Sequence, residues 1–575
     1  MKIRLAGHAG FCMGVRKALE LVLKEAEKGE RIYTYGPIIH NPQVLQLLEG
    51  KGIGVLKEDE SSPRGTVVIR AHGAAPEVFA ELEEKGLRVV DGTCPKVRLV
   101  QRLVNKNVSM GRDVVILGEP QHPEVIGLVG HGKGRPFVIQ GPEEIQKLPP
   151  LKEPIFLAQT TQERDRFLKT REALEKLYPG LKTYDTICSA TKERQEEAKE
   201  IARKVDLVLV VGGRESGNTK RLLDVAKGEN PNSYQVETDG EIDPSWFVNV
   251  KSVGITAGAS TPNWMIIRVL RRLEEIQQRY ESFFIRTVRH LLRFVFFTGI
   301  LSSLALFSLA MGIMGLQGDN RYLRFPATSA LLFLSLIIIA RYVDKESMNY
   351  NDPSMYGFLM RFRRVVLVMG VSSFVLGTWL AHKYLGVWEL VLSLLMALAV
   401  MGYSFQKRFG LSKIFSFPGL RTLGEAFIFM FLSGPFLHRN SWIQDPFSQL
   451  FPTLLCATFA ITKSLFQDIL RFQGDLLMGE RSLSVTFDTE RLLRWTFVIS
   501  GLQMIITVGL ILTGNIYGFP LLLASFAFLF CLLGYKLKLI LIGSRLEMLA
   551  ELSFVLIIYT LWLQDWFLNK ISWTW

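Results

Sequence analysis

Beyond about residue 285 the chain becomes a succession of apolar runs, each about 20 residues long and able to cross a hydrocarbon core of ~30 Å. No water at that depth can satisfy peptide N–H and C=O groups, so these runs must be helices packed in a bundle. About nine can be counted, at roughly 293–316, 324–343, 365–386, 387–405, 420–438, 447–469, 492–514, 516–535 and 548–567. Much of the formal net charge of +13 sits in the loops between them. A positive-inside bias explains it there, without a nucleic-acid partner. Lys345, Arg363, Arg364, Lys407, Arg408, Lys413, Arg481, Lys536 and Lys538 fall after even-numbered runs, whereas the alternate loops carry few basic residues, such as Arg321, Lys383 and Arg439. That asymmetry puts the preceding half in the cytoplasm and the bundle in the lipid of a bacterial inner membrane. Met1-Lys2-Ile3-Arg4-Leu5 shows neither an h-region nor a cleavage site, so no signal peptide is expected.

Residues 1–280 form a separate domain of mixed, charged composition, and 281–575 form the second. In the first, strand, polar or Gly-rich turn and helix recur, which predicts α/β units with parallel sheets. Ligands of such sheets gather beyond the carboxyl ends of strands. His40, His72, Cys94, His122, Thr160, Cys188, Ser216, Asn218 and Ser260 all fall at predicted strand ends. Cys94 lies in Asp91-Gly92-Thr93-Cys94-Pro95, directly after the strand-like Leu87-Arg88-Val89-Val90, and Cys12 and Cys188 occupy similar turns. Cys456 and Cys531 lie inside apolar runs and read as packing residues.

Three thiols so far apart in sequence suit a reducing cytosol and metal ligation better than disulfides. Three thiolates can hold three irons of a [4Fe–4S] cube and leave the fourth open to a substrate oxygen. Zinc held by three Cys and one His is the competing reading, although structural zinc sites usually include a close ligand pair. His40, His72 and His122, with Ser216, Asn218 and Ser260, offer neutral or switchable donors suited to a diphosphate. Glu124, on a short loop after His122-Pro123, is the natural proton donor, and a solvated loop glutamate is the plain alternative.

These cysteines and their flanks resemble the 4-hydroxy-3-methylbut-2-enyl diphosphate reductase family, as do His40-Asn41-Pro42, Ala71-His72-Gly73, His122-Pro123-Glu124-Val125 and Gln159-Thr160-Thr161. Arg194-Gln195, Ser216-Gly217-Asn218 and Thr256-Ala257-Gly258-Ala259-Ser260 extend the resemblance to about residue 275. It implies three α/β lobes in a trefoil around a central [4Fe–4S] cluster, with one cysteine from each. It also implies removal of an allylic hydroxyl as water, closing the methylerythritol phosphate route with isopentenyl and dimethylallyl diphosphate as products. A carrier such as ferredoxin or flavodoxin would donate the electrons. By this resemblance Cys12, Cys94 and Cys188 ligate the cluster. His40, His72, Ser216, Asn218 and Ser260 bind diphosphate, and His122 also contacts substrate. Thr160 bonds near the hydroxyl and Glu124 donates protons. Gly217 stands where many members carry Ser; its backbone N–H alone predicts weaker phosphate binding. A non-redox hydro-lyase with the open iron as Lewis acid is the alternative.

From Pro262 to Arg289 the chain reads as one helical stretch whose basic, amphipathic character suits a membrane surface. From about residue 285 it resembles the UbiA superfamily of membrane prenyltransferases, which are nine-helix bundles. Asp468 and Asp475, with Gly479-Glu480-Arg481-Ser482-Leu483, match the frame of the second aspartate motif, and Lys413 to Gly419 resembles the loop after the fourth span. Asp344 is what remains of the first motif, with Ala340, Arg341 and Met348 in place of Asn, Asp and Asp, and Arg471 replaces the middle aspartate of the second. Asp344, Asp468 and Asp475 are thus candidates for Mg²⁺ against an isoprenoid diphosphate. Exchanging a carboxylate for a guanidinium shifts the charge by about two units where a dication would sit. Two readings follow: prenyl transfer, or a degenerate bundle that anchors the reductase or binds prenyl lipid.

Overall fold

The computed structural model describes residues 1–57, 64–278, 282–317, 323–384, 391, 395, 419–434, 446–480, 482–537 and 544–568. The chain divides into two compact units, Met1–Gln277 and Gln278–Trp575.

The first unit is α/β. Its most apolar runs, Thr66–Ile69, Val114–Leu117, Ile155–Ala158 and Leu207–Val211, are buried along their whole length. Strands covered on both faces read this way, and they form the centres of three parallel four-stranded sheets. Across the first sheet run Lys2–Leu5, Ser252–Ala257, Leu207–Val211 and Ser233–Val236. The second runs Ile53–Val55, Ile32–Tyr35, Thr66–Ile69, Arg88–Asp91, and the third Phe137–Ile139, Val114–Leu117, Ile155–Ala158, Lys182–Thr183.

Numbered within each lobe, all three sheets share one strand order: second, first, third, fourth. In the first lobe the fourth strand is the first of the chain, Lys2–Leu5, pairing Leu5 with Ile255. That lobe is therefore discontinuous, built from the first strand of the chain and the last three. Strand order reverses between the first and third strands, which opens a ligand crevice at their carboxyl ends in every lobe.

The stretch after Pro262 is two helices, not one. Asn263–Gln278 buries Ile266, Val269, Leu273 and Ile276 against the first sheet, so Arg268, Arg271 and Arg272 belong to the α/β unit. Phe283–Phe297 leaves Phe283, Phe284, Leu291 and Leu292 exposed.

The second unit is all-helical among its described residues. Among the described residues six helices are long and apolar enough to cross a membrane: Arg324–Val343, Arg363–Tyr384, Leu450–Met478, Thr489–Leu512, Gly518–Lys536 and Arg545–Trp566. A seventh candidate is the pair Phe283–Phe297 and Ile300–Leu316, bent by 68°. The run expected at 293–316 is thus broken, for two local reasons. Gly299 adopts a left-handed φ of +90°, and buried Arg341 donates through Nη1 to the carbonyls of Phe296 at 3.1 Å and Phe297 at 3.0 Å. Carbonyls freed at a helix end need such a donor. The run at 420–438 is the shorter helix Leu420–Leu432. Lys407, Arg408, Lys413, Arg481, Lys538, Arg321, Arg439 and most of the run 387–405 lie outside the described residues. The bundle core packs Leu306, Leu309, Phe429, Phe459, Phe554 and Ile557.

Candidate active site

Each cysteine follows the fourth strand of its lobe and caps the helix that leads into the next. Cys12 precedes Met13–Ala26, Cys94 precedes Pro95–Ser109 and Cys188 precedes Ser189–Ala202. A helix N-terminus turns its free N–H groups and positive dipole end toward such a sulfur. Val15 N–H donates to Cys12 Sγ at 3.4 Å. The helix starts converge: a Cβ on Gly14 would lie 2.7 Å from Cys94 Sγ and 3.9 Å from Cys12 Sγ. Burial pushes the Cys94 thiol pKa up, opposed by the N–H groups of Lys96 and Val97, and the nearness of Cys12 and Cys188 adds to the rise.

All three thiols are free. Among the described residues no three Cys, His, Asp or Glu side chains gather as a single metal ion requires. Three free thiols, one from each lobe, are a donor set that fits three corners of a [4Fe–4S] cluster. Arg194, 6 % exposed, lies within electrostatic reach of Cys12 and Cys188. It donates to Gly10 O at 2.7 Å and Ala190 O at 3.2 Å. Its buried Nε has no partner among the described residues. A cation with a spare donor suits an anionic cluster.

The remaining site residues repeat by lobe. His40, His122 and Ser216 stand the same number of residues past the first strands, which end at Tyr35, Leu117 and Val211. His72, Thr160 and Ser260 follow the third strands. The His40 and His72 ring centroids are 5.3 Å apart, and those of His72 and His122 are 5.2 Å apart. Ser260 Oγ donates to His40 O at 3.4 Å, joining the first lobe to the second. Ser216 caps the helix Gly217–Glu229, and a Cβ on Gly217 would lie 3.7 Å from His122 Cδ2. Buried His72 Nδ1 and Asn218 Nδ2 have no hydrogen-bond partner among the described residues. Such orphaned polar atoms are uncommon, and a bound anion would satisfy them.

Burial lowers the pKa of all three imidazoles, to about 3 for His122 and well below the ordinary value for His72. Arg70, close to the row, lowers each further. The histidines are therefore neutral at pH 7. Glu124 N–H donates to His122 Nδ1 at 3.2 Å, which leaves the neutral ring's proton on Nε2 as a donor.

Glu124 is not on a loop: it lies in the first turn of Pro123–His131 and is 1 % exposed. Thr160 donates to it twice, from N at 2.7 Å and from Oγ at 2.8 Å. Burial nevertheless raises its pKa. Thr160 O accepts from Cys188 N at 2.9 Å, so one residue joins the acid to the thiol centre.

Sequence reasoning missed two cations here. Arg70 directly follows the fully buried strand Thr66–Ile69, where a half-buried charge is unexpected. Its buried Nε lacks a partner among the described residues. Arg221, one helical turn after Gly217, pairs with Glu119. Its signal was the i, i+4 spacing from a residue already on the site.

In the second unit Asp468 and Asp475 do come together, around Arg421. The guanidinium lies 3.3 Å from Asp468 Oδ1, 2.5 Å from Asp475 Oδ2 and 3.0 Å from Glu480. Asp468 also accepts from Thr422 Oγ at 3.0 Å and Ser484 N at 2.8 Å. Asp475 Oδ1 accepts from Ser347 Oγ and Asn351 Nδ2, each at 3.1 Å. Asp344 opens the helix Lys345–Asn351 that carries those two donors. All four oxygens of Asp468 and Asp475 are engaged by donors, and a buried cation holds the place between them. The arrangement does not fit Mg²⁺, for which free carboxylate oxygens are the usual protein ligands. Arg471, expected to disturb the site, instead pairs with Glu425 at 3.4 Å.

Fold and site together define a three-lobed α/β enzyme domain built on a thiol centre and joined to a membrane-type helical bundle. The chain belongs to the LytB protein family, whose model matches residues 3–274. The 4-hydroxy-3-methylbut-2-enyl diphosphate reductase of Pelobacter propionicus is 43% identical over 279 residues, 48% of this chain and 100% of that protein. A solved structure of (E)-4-hydroxy-3-methyl-but-2-enyl diphosphate reductase, the terminal enzyme of the non-mevalonate pathway, is 41% identical. It covers 48% of this chain and 100% of its own, with a TM-score of 0.38. The apo structure of a UbiA homolog from Aeropyrum pernix aligns with 44% of this chain and 97% of its own, at 14% identity and a TM-score of 0.33.

Proposed function

We propose that residues 1–280 reduce (E)-4-hydroxy-3-methylbut-2-enyl diphosphate to isopentenyl and dimethylallyl diphosphate. The observation that carries this reading is that cysteines of three lobes, each at a helix N-cap and within electrostatic reach of one another, stand near a row of buried, neutral histidines. When bound by Cys12, Cys94 and Cys188, a [4Fe–4S] cluster supplies electron transfer and a Lewis-acidic corner. The chain's own residues do the rest. His40, His72, Ser216, Asn218 and Ser260 hold the diphosphate, and Gly217 offers its N–H. His122 donates from Nε2. Glu124 passes a proton through the Thr160 hydroxyl to the leaving oxygen. The allylic C–O bond breaks, two electrons and two protons enter, and water departs. An external one-electron carrier such as ferredoxin or flavodoxin supplies the electrons.

The test is iron and sulfide analysis of anaerobically purified protein, followed by turnover with and without added reductant. Iron and sulfide with reductant-dependent product support the reading. Stoichiometric zinc in a colourless protein defeats it, and turnover without reductant replaces it with a hydro-lyase.

The bundle we read as a tether that holds the reductase on the cytoplasmic side of a bacterial inner membrane. Engagement of Asp468 and Asp475 by Arg421 favours this over prenyl transfer. The apolar residues Phe283, Phe284, Leu291 and Leu292, on the same helix as Arg286 and Arg289, suit a membrane surface. Labelled prenyl diphosphate, Mg²⁺ and aromatic acceptors should give no product with the purified chain; any transfer abolished by Asp468→Ala would restore the enzyme reading.

A further inference from the structure

Arg221 springs from the helix Gly217–Glu229 of the first lobe and ends on two turns of the third. Its Nη1 donates to Thr161 O at 3.3 Å and Thr161 Oγ at 3.0 Å. Its Nη2 donates to the Glu119 carboxylate. Thr161 neighbours Thr160, and Glu119 O accepts from His122 N at 2.9 Å. One guanidinium thus touches the turn that bears the proton path and the turn that bears His122. The helix it stands on begins with Ser216, Gly217 and Asn218. Its own side chain is only 11 % exposed, although Glu119 is half-exposed. A rigid fork of donors suits such a task, and an ammonium on a flexible stem does not.

The beginning of the helix is open to it. A Cβ on Gly217 would stand 3.6 Å from Arg221 Nη1, 3.7 Å from Glu119 Oε2 and 3.7 Å from His122 Cδ2. Cation, carboxylate and imidazole therefore surround the backbone that offers its N–H to the site. We propose that Arg221 is a positioning residue of the reductase, clasping the His122 and Thr160 turns of one lobe to the diphosphate-binding helix start of another. This rests on the reductase reading. Its charge also reaches the acid: Arg221 draws the Glu124 carboxyl down against the upward push of burial. It adds as well to the burial that keeps His122 neutral. Among the described residues the Arg221 charge reaches Glu124, His122 Nδ1 accepts from its N–H, and Glu119 pairs with the guanidinium.

Two consequences separate. Loss of the fork should loosen the binding face, and loss of the charge should raise the pKa of the acid. Holoprotein carrying Arg221→Gln should keep its iron while binding inorganic diphosphate about tenfold more weakly by calorimetry, with KM raised in step. A proton donor loses activity as it deprotonates, so the alkaline limb of kcat should move to higher pH. Arg221→Lys should return that limb toward the wild-type position and leave KM raised. It also serves if the Gln variant does not fold. Diphosphate affinity and pH profile both equal to wild type, in either variant, would overturn the inference. A wild-type chain that binds diphosphate but turns nothing over would instead remove the reductase reading, and the binding comparison would still decide the clasp.

Discussion

Glu124 shows how much one residue's surroundings decide. As a loop glutamate it would be an ordinary solvated carboxylate; at 1 % exposure, with both oxygens on Thr160, it is an acid aimed at one place. Glu124→Gln should leave iron content unchanged and lower turnover by roughly 10²- to 10⁴-fold, the usual worth of a positioned proton donor; full activity in an iron-replete variant would remove the role. The histidines make a different prediction. Burial depresses all three pKa values, and an adjacent diphosphate favours the charged form. Binding should therefore take up protons and tighten as pH falls from 7 toward the ordinary histidine range. Calorimetry in buffers of different ionisation heat reads this directly, and zero uptake would refute it. At Gly217 a Cβ meets only ordinary contacts, the nearest at 3.6 Å. Gly217→Ser should lower KM by roughly fivefold, as expected for one added hydrogen bond of about 1 kcal/mol.

Among the elements, the helix starts matter most. Three helices begin on three cysteines, so the same turn that ends a strand also aims a sulfur and a dipole at the centre. Gly14→Ala tests that packing, because its new Cβ would stand 2.7 Å from Cys94 Sγ, nearer than atoms can approach. We expect less than about half the wild-type iron, since a close-packed interior cannot absorb the displacement; full iron would show the helix free to shift. Sequence patterning found the inner strands of all three sheets and two of the edge strands, Lys2–Leu5 and Arg88–Asp91. It missed Ile53–Val55, Phe137–Ile139, Lys182–Thr183 and Ser233–Val236, each at a sheet edge. Two to four residues with one solvent-facing side carry too little apolar periodicity to stand out.

At the scale of the whole molecule, the thiol-centred site and the Asp468–Asp475 site differ in what their polar groups still lack. The α/β unit keeps buried polar atoms such as His72 Nδ1 and Asn218 Nδ2 without partners among the described residues. In the bundle Asp468 and Asp475 have all their oxygens engaged. Mn²⁺ added to the purified chain, as a spin-active substitute for Mg²⁺, should find no site that Asp468→Asn removes, whereas Arg421→Gln should create one. Stoichiometric Mn²⁺ lost in Asp468→Asn would return the aspartates to metal binding. By itself the sequence determined the parallel α/β class, the apolar helices, the three thiols and the strand-end donors. Hydropathy period, turn chemistry and residue type are local properties, legible wherever they occur. Only the tertiary structure decided that Lys2–Leu5 closes the same lobe as Ser252–Ala257, that Arg221 bridges two lobes and that Arg421 stands between Asp468 and Asp475. Those are meetings of residues far apart along the chain, and whether a cation lands beside a carboxylate depends on packing that no local pattern records.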